Sequence, residues 1–99
     1  MSIEIEPCGD FELVHHDDIA RIHYQHRDQL PVWTIYRPTT SDYPGFWSGR
    51  MHLSLCDRGP TNLVIVRPNL DEVRARLPYG LTCLMRDPRD DPVIEETWL

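Results

Sequence analysis

Lysine is missing from this chain, and all ten of its basic side chains are arginine. Every cation is therefore a planar fork suited to carboxylate pairing or to stacking on aromatic rings. GC-rich codon usage accounts for that bias as readily as function does. No apolar run approaches the roughly 18 residues a membrane span needs. The opening Met1-Ser2-Ile3-Glu4-Ile5-Glu6 alternates apolar with acidic residues, where a secretion signal would set a basic stretch before an apolar block. The expectation is a cytoplasmic protein with no membrane partner. Internal repeats, low-complexity tracts and Gly/Ser linkers are absent, which leaves nothing to divide the chain. Also absent are HExxH, paired CxxC, the G-x-S-x-G elbow, a Gly-rich phosphate loop and the dinucleotide fingerprint. No catalytic residue, metal or cofactor is assigned on sequence grounds, and the expectation is a protein that is not an enzyme.

The 99 residues that are present suffice for one hydrophobic core and are too few for two. Apolar residues at 40% and charged residues at 26% match globular usage, and aromatics are spread along the whole length, unlike a disordered chain. The formal charge of −6 is unevenly placed. Residues 1–20 hold Glu4, Glu6, Asp10, Glu12, Asp17 and Asp18 and no arginine, residues 21–86 are net basic, and residues 87–99 are net acidic again. If the chain ends lie together, as they often do in compact domains, the two acidic segments decorate one surface, which would repel nucleic acid. Acids also interrupt the arginine-rich middle, so direct nucleic-acid binding is not expected.

Nine prolines and five glycines cut the chain into short pieces. Ile3 and Ile5, the Pro7-Cys8-Gly9-Asp10 turn and Phe11–His15 predict a β-hairpin. Asp17 and Asp18 offer N-cap oxygens to a helix over 18–29 that carries Ile19, Ile22, His26 and Leu30 along one stripe and stops at Pro31. Val32–Arg37 is a β-rich run, and a polar loop from Pro38 to Gly45 leads to a longer strand, Phe46–Cys56. In that strand Met51, Leu53 and Leu55 share one face, and Arg50, His52 and Ser54 the other. Asn62–Arg67 is apolar on both faces and suits a central strand. Asn69 with Glu72 three residues on predicts a capped helix that closes at Pro78. Leu81–Arg86 and Val93–Trp98 read as strands. The order ββαβββαββ predicts an α+β fold, a mainly antiparallel sheet covered by one or two short helices. It forms one domain over 1–99, with an N-terminal hairpin and helix in 1–31 and a βββαββ core in 32–99.

Trp33-Thr34-Ile35-Tyr36, Asp42-Tyr43-Pro44-Gly45, Arg50, Leu77-Pro78-Tyr79-Gly80-Leu81 and the segment from Asp90-Asp91-Pro92-Val93 to Trp98 resemble a pattern in short bacterial and phage-associated proteins of uncharacterised function. The resemblance spans about two-thirds of the chain. It brings a phage context and no activity, and it leaves residues 1–31 outside.

Three sets of residues are candidates for function. Glu4, Glu6, Glu12, Asp17 and Asp18, joined by Asp90 and Asp91, form a potential acidic surface, whose bland alternative is that it only keeps a small domain soluble. The loop residues Tyr43, Phe46 and Trp47 are typical protein-interface anchors, or else fold back to close the core. His15, His16, Asp17, Asp18, His23 and His26 are the densest group of metal-type ligands, without the spacing of a known site. Cys56 and Cys83 read as core thiols, and Cys8 as exposed in a turn, which leaves a homodimer bridged through Cys8 open.

The favoured expectation is a small acidic, non-enzymatic protein encoded by a phage or mobile element. It would inhibit a host macromolecular complex by occupying a basic nucleic-acid-binding surface, as anti-CRISPR proteins do. The alternatives are a structural or accessory subunit of a phage or bacterial assembly, and a metal-dependent hydrolase built on the His15–His26 cluster.

Overall fold

Along Val32–Tyr36, Trp33 and Ile35 alternate with Val32, Thr34 and Tyr36, and this period of two sets the two faces of the central strand. The computed structural model describes residues 10–54, 59–84, 89 and 92–99. The strands are β1 (Phe11–Glu12), β2 (Pro31–Tyr36), β3 (Trp47–Leu53), β4 (Gly59–Arg67), β5 (Cys83–Leu84) and β6 (Ile94–Trp98). Helix α1 (His16–Gln25) and a 3-10 turn (Arg27–Gln29) precede β2, and helix α2 (Leu70–Arg76) follows β4. The six strands lie in the order β1-β4-β3-β2-β6-β5, antiparallel throughout except for the parallel pair β1–β4. The fold is α+β, a mostly antiparallel sheet with two short helices.

One face of the sheet holds the core. Trp33 and Ile35 of β2, Met51 and Leu53 of β3 and Ile65 of β4 are buried there with Ile19 of α1, Val73 and Leu77 of α2, and Leu13. Each such side chain stabilises the fold by about 1.5–3 kcal/mol through burial. Gly49 allows α2 to sit close over β3: a Cβ at that position would lie 3.3 Å from Cγ1 of Val73. The cap of α2 forms as its sequence predicts, Asn69 Oδ1 accepting from the Glu72 N–H at 2.9 Å and Glu72 Oε2 accepting from Asn69 Nδ2 at 2.8 Å.

Several expectations are corrected. Asp17 and Asp18 do not cap α1. The helix starts two residues earlier, with His15 as the flanking residue and no side-chain cap bond, so the two acids sit in the first turn and act on the helix dipole instead. The helix also stops at Gln25 rather than 29. Pro31 disfavours the helical region for the residue before it, and Leu30 takes a left-handed conformation (φ 53°), with Arg27–Gln29 tightening into a 3-10 turn. Leu30 is exposed rather than part of the apolar stripe. Phe11–Glu12 pairs in parallel with β4, a partner that a hairpin reading does not supply, while Ile3 and Ile5 lie outside the described residues. Of the expected strand Leu81–Arg86, Cys83–Leu84 form β5 at the sheet edge, Leu81 and Thr82 precede it, Met85 and Arg86 lie outside the described residues, and Cys83 is exposed. Edge position, not the apolar character of the run, sets its accessibility. Cys8 and Cys56 lie outside the described residues.

Helix α1 is joined to the sheet by a buried polar contact: Trp33 Nε1–H donates to Nδ1 of His23 at 3.0 Å. Burial holds His23 below its usual value, and protonation at Nδ1 would abolish the acceptor. A histidine whose folded value is lowered contributes fully to stability above its unfolded value of about 6.5, and that contribution declines as pH falls below it. His52, lowered by burial and then by the charge of Arg50, acts with the same sign. We expect a lower melting temperature at pH 5.5 than at pH 7.5, followed by circular dichroism. His23→Gln, which keeps an acceptor for Trp33, should retain only the part of that drop due to His52, and an unchanged drop in the variant would remove His23 as its cause. In a second expectation, Asn69→Ala should cost about 1 kcal/mol in urea titrations through loss of the α2 cap.

Candidate functional site

The second face of the sheet carries neither helix, and its chemistry comes from the alternate residues of the same strands. The register aligns Thr34 of β2, Arg50 of β3 and Val64 of β4 in one row, with Tyr36, Ser48 and Val66 in another and Val32 beside His52. Arg50 stands in the middle of this face. The parallel register Glu12↔Val64 brings Glu12 to the same side, and Asp10, two residues earlier, falls on that side as well.

The Arg50 guanidinium meets the Asp10 carboxylate as a two-pronged pair, Nη1 to Oδ1 at 2.8 Å and Nη2 to Oδ2 at 3.0 Å. Nη1 also donates to the Thr61 carbonyl at 2.8 Å. The Tyr43 hydroxyl donates to Asp10 Oδ2 at 2.6 Å, and its backbone N–H to Thr40 Oγ1 at 3.3 Å. Backbone bonds from Gly45 to Pro38 and from Phe46 to Tyr43 close the loop that carries them. Asp42 lies 3.7 Å from Arg50 Nη2, with its side chain 66% exposed. His52 Nε2 and the Tyr36 hydroxyl are 3.3 Å apart. Together Tyr36, Asp42, Tyr43, Ser48, Arg50 and His52 line most of a concavity of about 240 Å³.

The charges act on one another in a consistent sense. The hydrogen bonds from Arg50 hold the Asp10 carboxyl below its usual value, against the opposing effect of burial. Burial and the Asp10 carboxylate push the Tyr43 phenol up to about 12. The Asp10 partnership raises Arg50 further. The Arg50–Asp10 pair is therefore held in its charged form, and Tyr43 keeps its proton at neutral pH.

Of the sequence-derived candidates, Glu12 is exposed on β1 and Asp17 is exposed in the first turn of α1, while Asp18 is paired with Arg21 at 2.9 Å. Glu12 and Asp18 border one shallow groove between β1 and α1, together with the exposed Phe11 and Val14. Glu4, Glu6, Asp90 and Asp91 lie outside the described residues. The aromatic loop divides. Tyr43 is tied down on the helix-free face, Phe46 is exposed, and Trp47 is half-buried and packs against the core on the opposite side. The histidines of the cluster go separate ways: His23 binds Trp33, His26 Nδ1 lies 2.9 Å from the Ile22 carbonyl, and the His16 ring packs against Tyr79. Among the described residues no three His, Cys, Asp or Glu side chains are gathered to hold an ion. Sequence reasoning did not assign Asp10, Tyr36, Arg50 or His52 to a site. The alternation of Arg50 and His52 against Met51 and Leu53 was the available signal, but nothing local in the sequence joins Asp10 to a residue forty positions on.

No family model, curated protein or solved structure matches this chain.

The chain has four tyrosines, and a spectrophotometric titration at 295 nm should show one ionising late, near pH 12, assigned to Tyr43 by its loss in Tyr43→Phe. In Asp10→Asn that titration should move back toward about 10. The same substitution removes the counter-ion of a mostly buried guanidinium and should cost about 1–3 kcal/mol in urea titrations, whereas no loss would mean that the pair is unimportant to stability.

Proposed function

We propose that this chain is a non-enzymatic binding protein that sets an acidic face against a basic groove of a protein partner. The partner is a nucleic-acid-binding complex, and the chain inhibits it by keeping DNA or RNA out. This is the strategy of proteins that phages and mobile elements direct against host defence, anti-CRISPR proteins included. The observation that carries the reading is which charges are left over. Arg21, Arg37, Arg50, Arg67 and Arg74 are each held by a carboxylate, respectively Asp18, Glu95, Asp10, Glu72 and Glu96, and Arg76 donates to the Val14 and Glu72 carbonyls. Glu12 and Asp17 are exposed and make no ion pair within 4 Å among the described residues, although Arg21 lines the same groove as Glu12. Most of the described arginines are thus matched by acids, Arg27 being an exposed exception that donates to the Tyr24 carbonyl, while Glu12 and Asp17 leave unpaired negative charge on β1 and the first turn of α1. Carboxylates held on a strand and a helix start can occupy the positions of phosphates with less ordering cost than a disordered acidic tail.

A pull-down from host lysate with mass-spectrometric identification supplies the partner, and a fluorescent DNA or RNA duplex then reports whether the partner still binds nucleic acid. Glu12→Arg with Asp17→Arg should weaken binding by much more than tenfold, and wild-type affinity should fall as salt rises. The fold should survive, because exposed substitutions of this kind shift stability by about ±0.5 kcal/mol, with about 1 kcal/mol more for reversing the charge of Asp17 at the start of α1. Full binding by the charge-reversed variant together with its loss in Phe46→Ala would replace the acidic face with the aromatic loop. A partner that keeps its nucleic acid while bound would point to an accessory subunit.

A further inference from the structure

We propose that the concavity on the helix-free face is a receptor pocket for a single arginine side chain on the surface of the protein partner. The inference rests on the binding role argued above and names one chemical group that the partner must supply.

The electrostatics of the pocket favour a cation. Arg50 lies on its floor, but its fork is already engaged: both Nη atoms point to Asp10, and Nη1 also serves the Thr61 carbonyl. An incoming anion would meet a guanidinium whose charge Asp10 already neutralises and a second carboxylate, Asp42, 3.7 Å from Nη2. Arg50 and Asp10 neutralise each other, so the second carboxylate, Asp42, leaves the group with one surplus negative charge. Asp42 lies at 3.7 Å from Arg50 Nη2 and is two-thirds exposed, so its oxygens remain open to a second donor. His52 adds no charge at neutral pH.

Shape and lining agree with this assignment. A volume of about 240 Å³ is below the roughly 300–1,000 Å³ of pockets for drug-sized molecules and is on the scale of one long side chain. Two phenol rings, Tyr36 and Tyr43, line it. Tyrosine faces attract cations, and guanidinium more often than ammonium, because a planar group stacks on the ring while its edge pairs with a carboxylate. Tyr43 is fixed in place through Asp10 and Thr40, so that wall is preorganised. A basic groove that handles nucleic acid is also where arginines are plentiful.

The probe is Nα-acetyl-arginine methylamide, titrated into the isotope-labelled full chain and followed by amide chemical shifts. Saturable shifts at Tyr43, Ser48, Arg50 and His52 in the millimolar range are expected. The citrulline analogue, which keeps the shape and loses the charge, should give none, and the lysine analogue should bind several-fold more weakly. Asp42→Asn should weaken arginine binding about tenfold and leave the melting temperature unchanged, because its side chain is exposed. Absence of saturation with the arginine probe would overturn the proposal. Equal binding of citrulline would overturn it too, as would preferential binding of inorganic phosphate or Nα-acetyl-glutamate methylamide, which would make Arg50 an anion site. Failure here is distinct from failure of the binding role. If only the pocket is wrong, Asp42→Asn captures the partner as well as the wild type does, while Glu12→Arg with Asp17→Arg does not.

Discussion

The pairing of Arg50 with Asp10 is the contact on which the helix-free half of the molecule depends. One guanidinium gathers four pieces of chain: β3, on which it stands, the residue before β1 through Asp10, β4 through the Thr61 carbonyl, and the 38–46 loop through Asp10 and Tyr43. Strand β1 has only two residues, too few to hold its place by ladder hydrogen bonds alone. Charge-assisted bonds of about 1.5–3 kcal/mol each, at a site where the Arg50 side chain is only 17% exposed, supply the missing restraint. Val64 shows the effect on packing. It neighbours Arg50 in register, has no helix over it, and is nevertheless fully buried. Its register neighbours on either side are Arg50 of β3 and Glu12 of β1, the strand that the Asp10–Arg50 pair holds in place.

The other arginines have a different weight. Arg21–Asp18 lies among exposed side chains and Arg37–Glu95 is only partly buried, and surface ion pairs of this kind are worth about 0–1 kcal/mol, so neither decides stability. Stability comes from the one-sided core of Trp33, Ile35, Met51 and Ile65 under the two helices. The exposed pairs matter for the field that the protein presents instead. Ten arginines in a chain of this size would make a phosphate-binding surface if they faced solvent unpaired. Placing carboxylates against most of the described ones brings a basic sequence segment close to neutral, with Arg27 among the exceptions.

Local chemistry made much of this fold legible, and non-local geometry set the rest. The Asn69/Glu72 cap, the two faces of β3 and the apolar run Leu63–Val66 can each be read within a few residues, and each appears as read. The failures share a cause. His15 rather than Asp17 precedes α1, because the burial of Ile19 and His23 fixes the helix face and with it the start. Cys83 is exposed because β5 is an edge, which depends on strand order and not on the residues of β5. Trp47 and Tyr43 are four residues apart and point into opposite halves of the molecule, one against the core and one against Asp10. The candidate site is the extreme case. Its components, at positions 10, 36, 42, 43, 48, 50 and 52, are ordinary strand and loop residues until the register of β1 on β4 brings Asp10 over Arg50.

That dependence also explains how an acidic segment and an aromatic loop come to belong to one surface. Tyr43 donates to the same carboxylate oxygen that Arg50 Nη2 holds, so the position of the loop is set by the position of β1. A short acidic strand left to itself would be held apart from other acids by repulsion, and Asp42 would move away from Asp10. Arg50 lies between the two carboxylates and reverses the sign of that interaction. The protein thereby concentrates negative charge at one site without the conformational spread that like charges impose on a free chain. A surface built this way keeps its shape because the cation that organises it is internal, so its acidic groups are ordered before any ligand arrives.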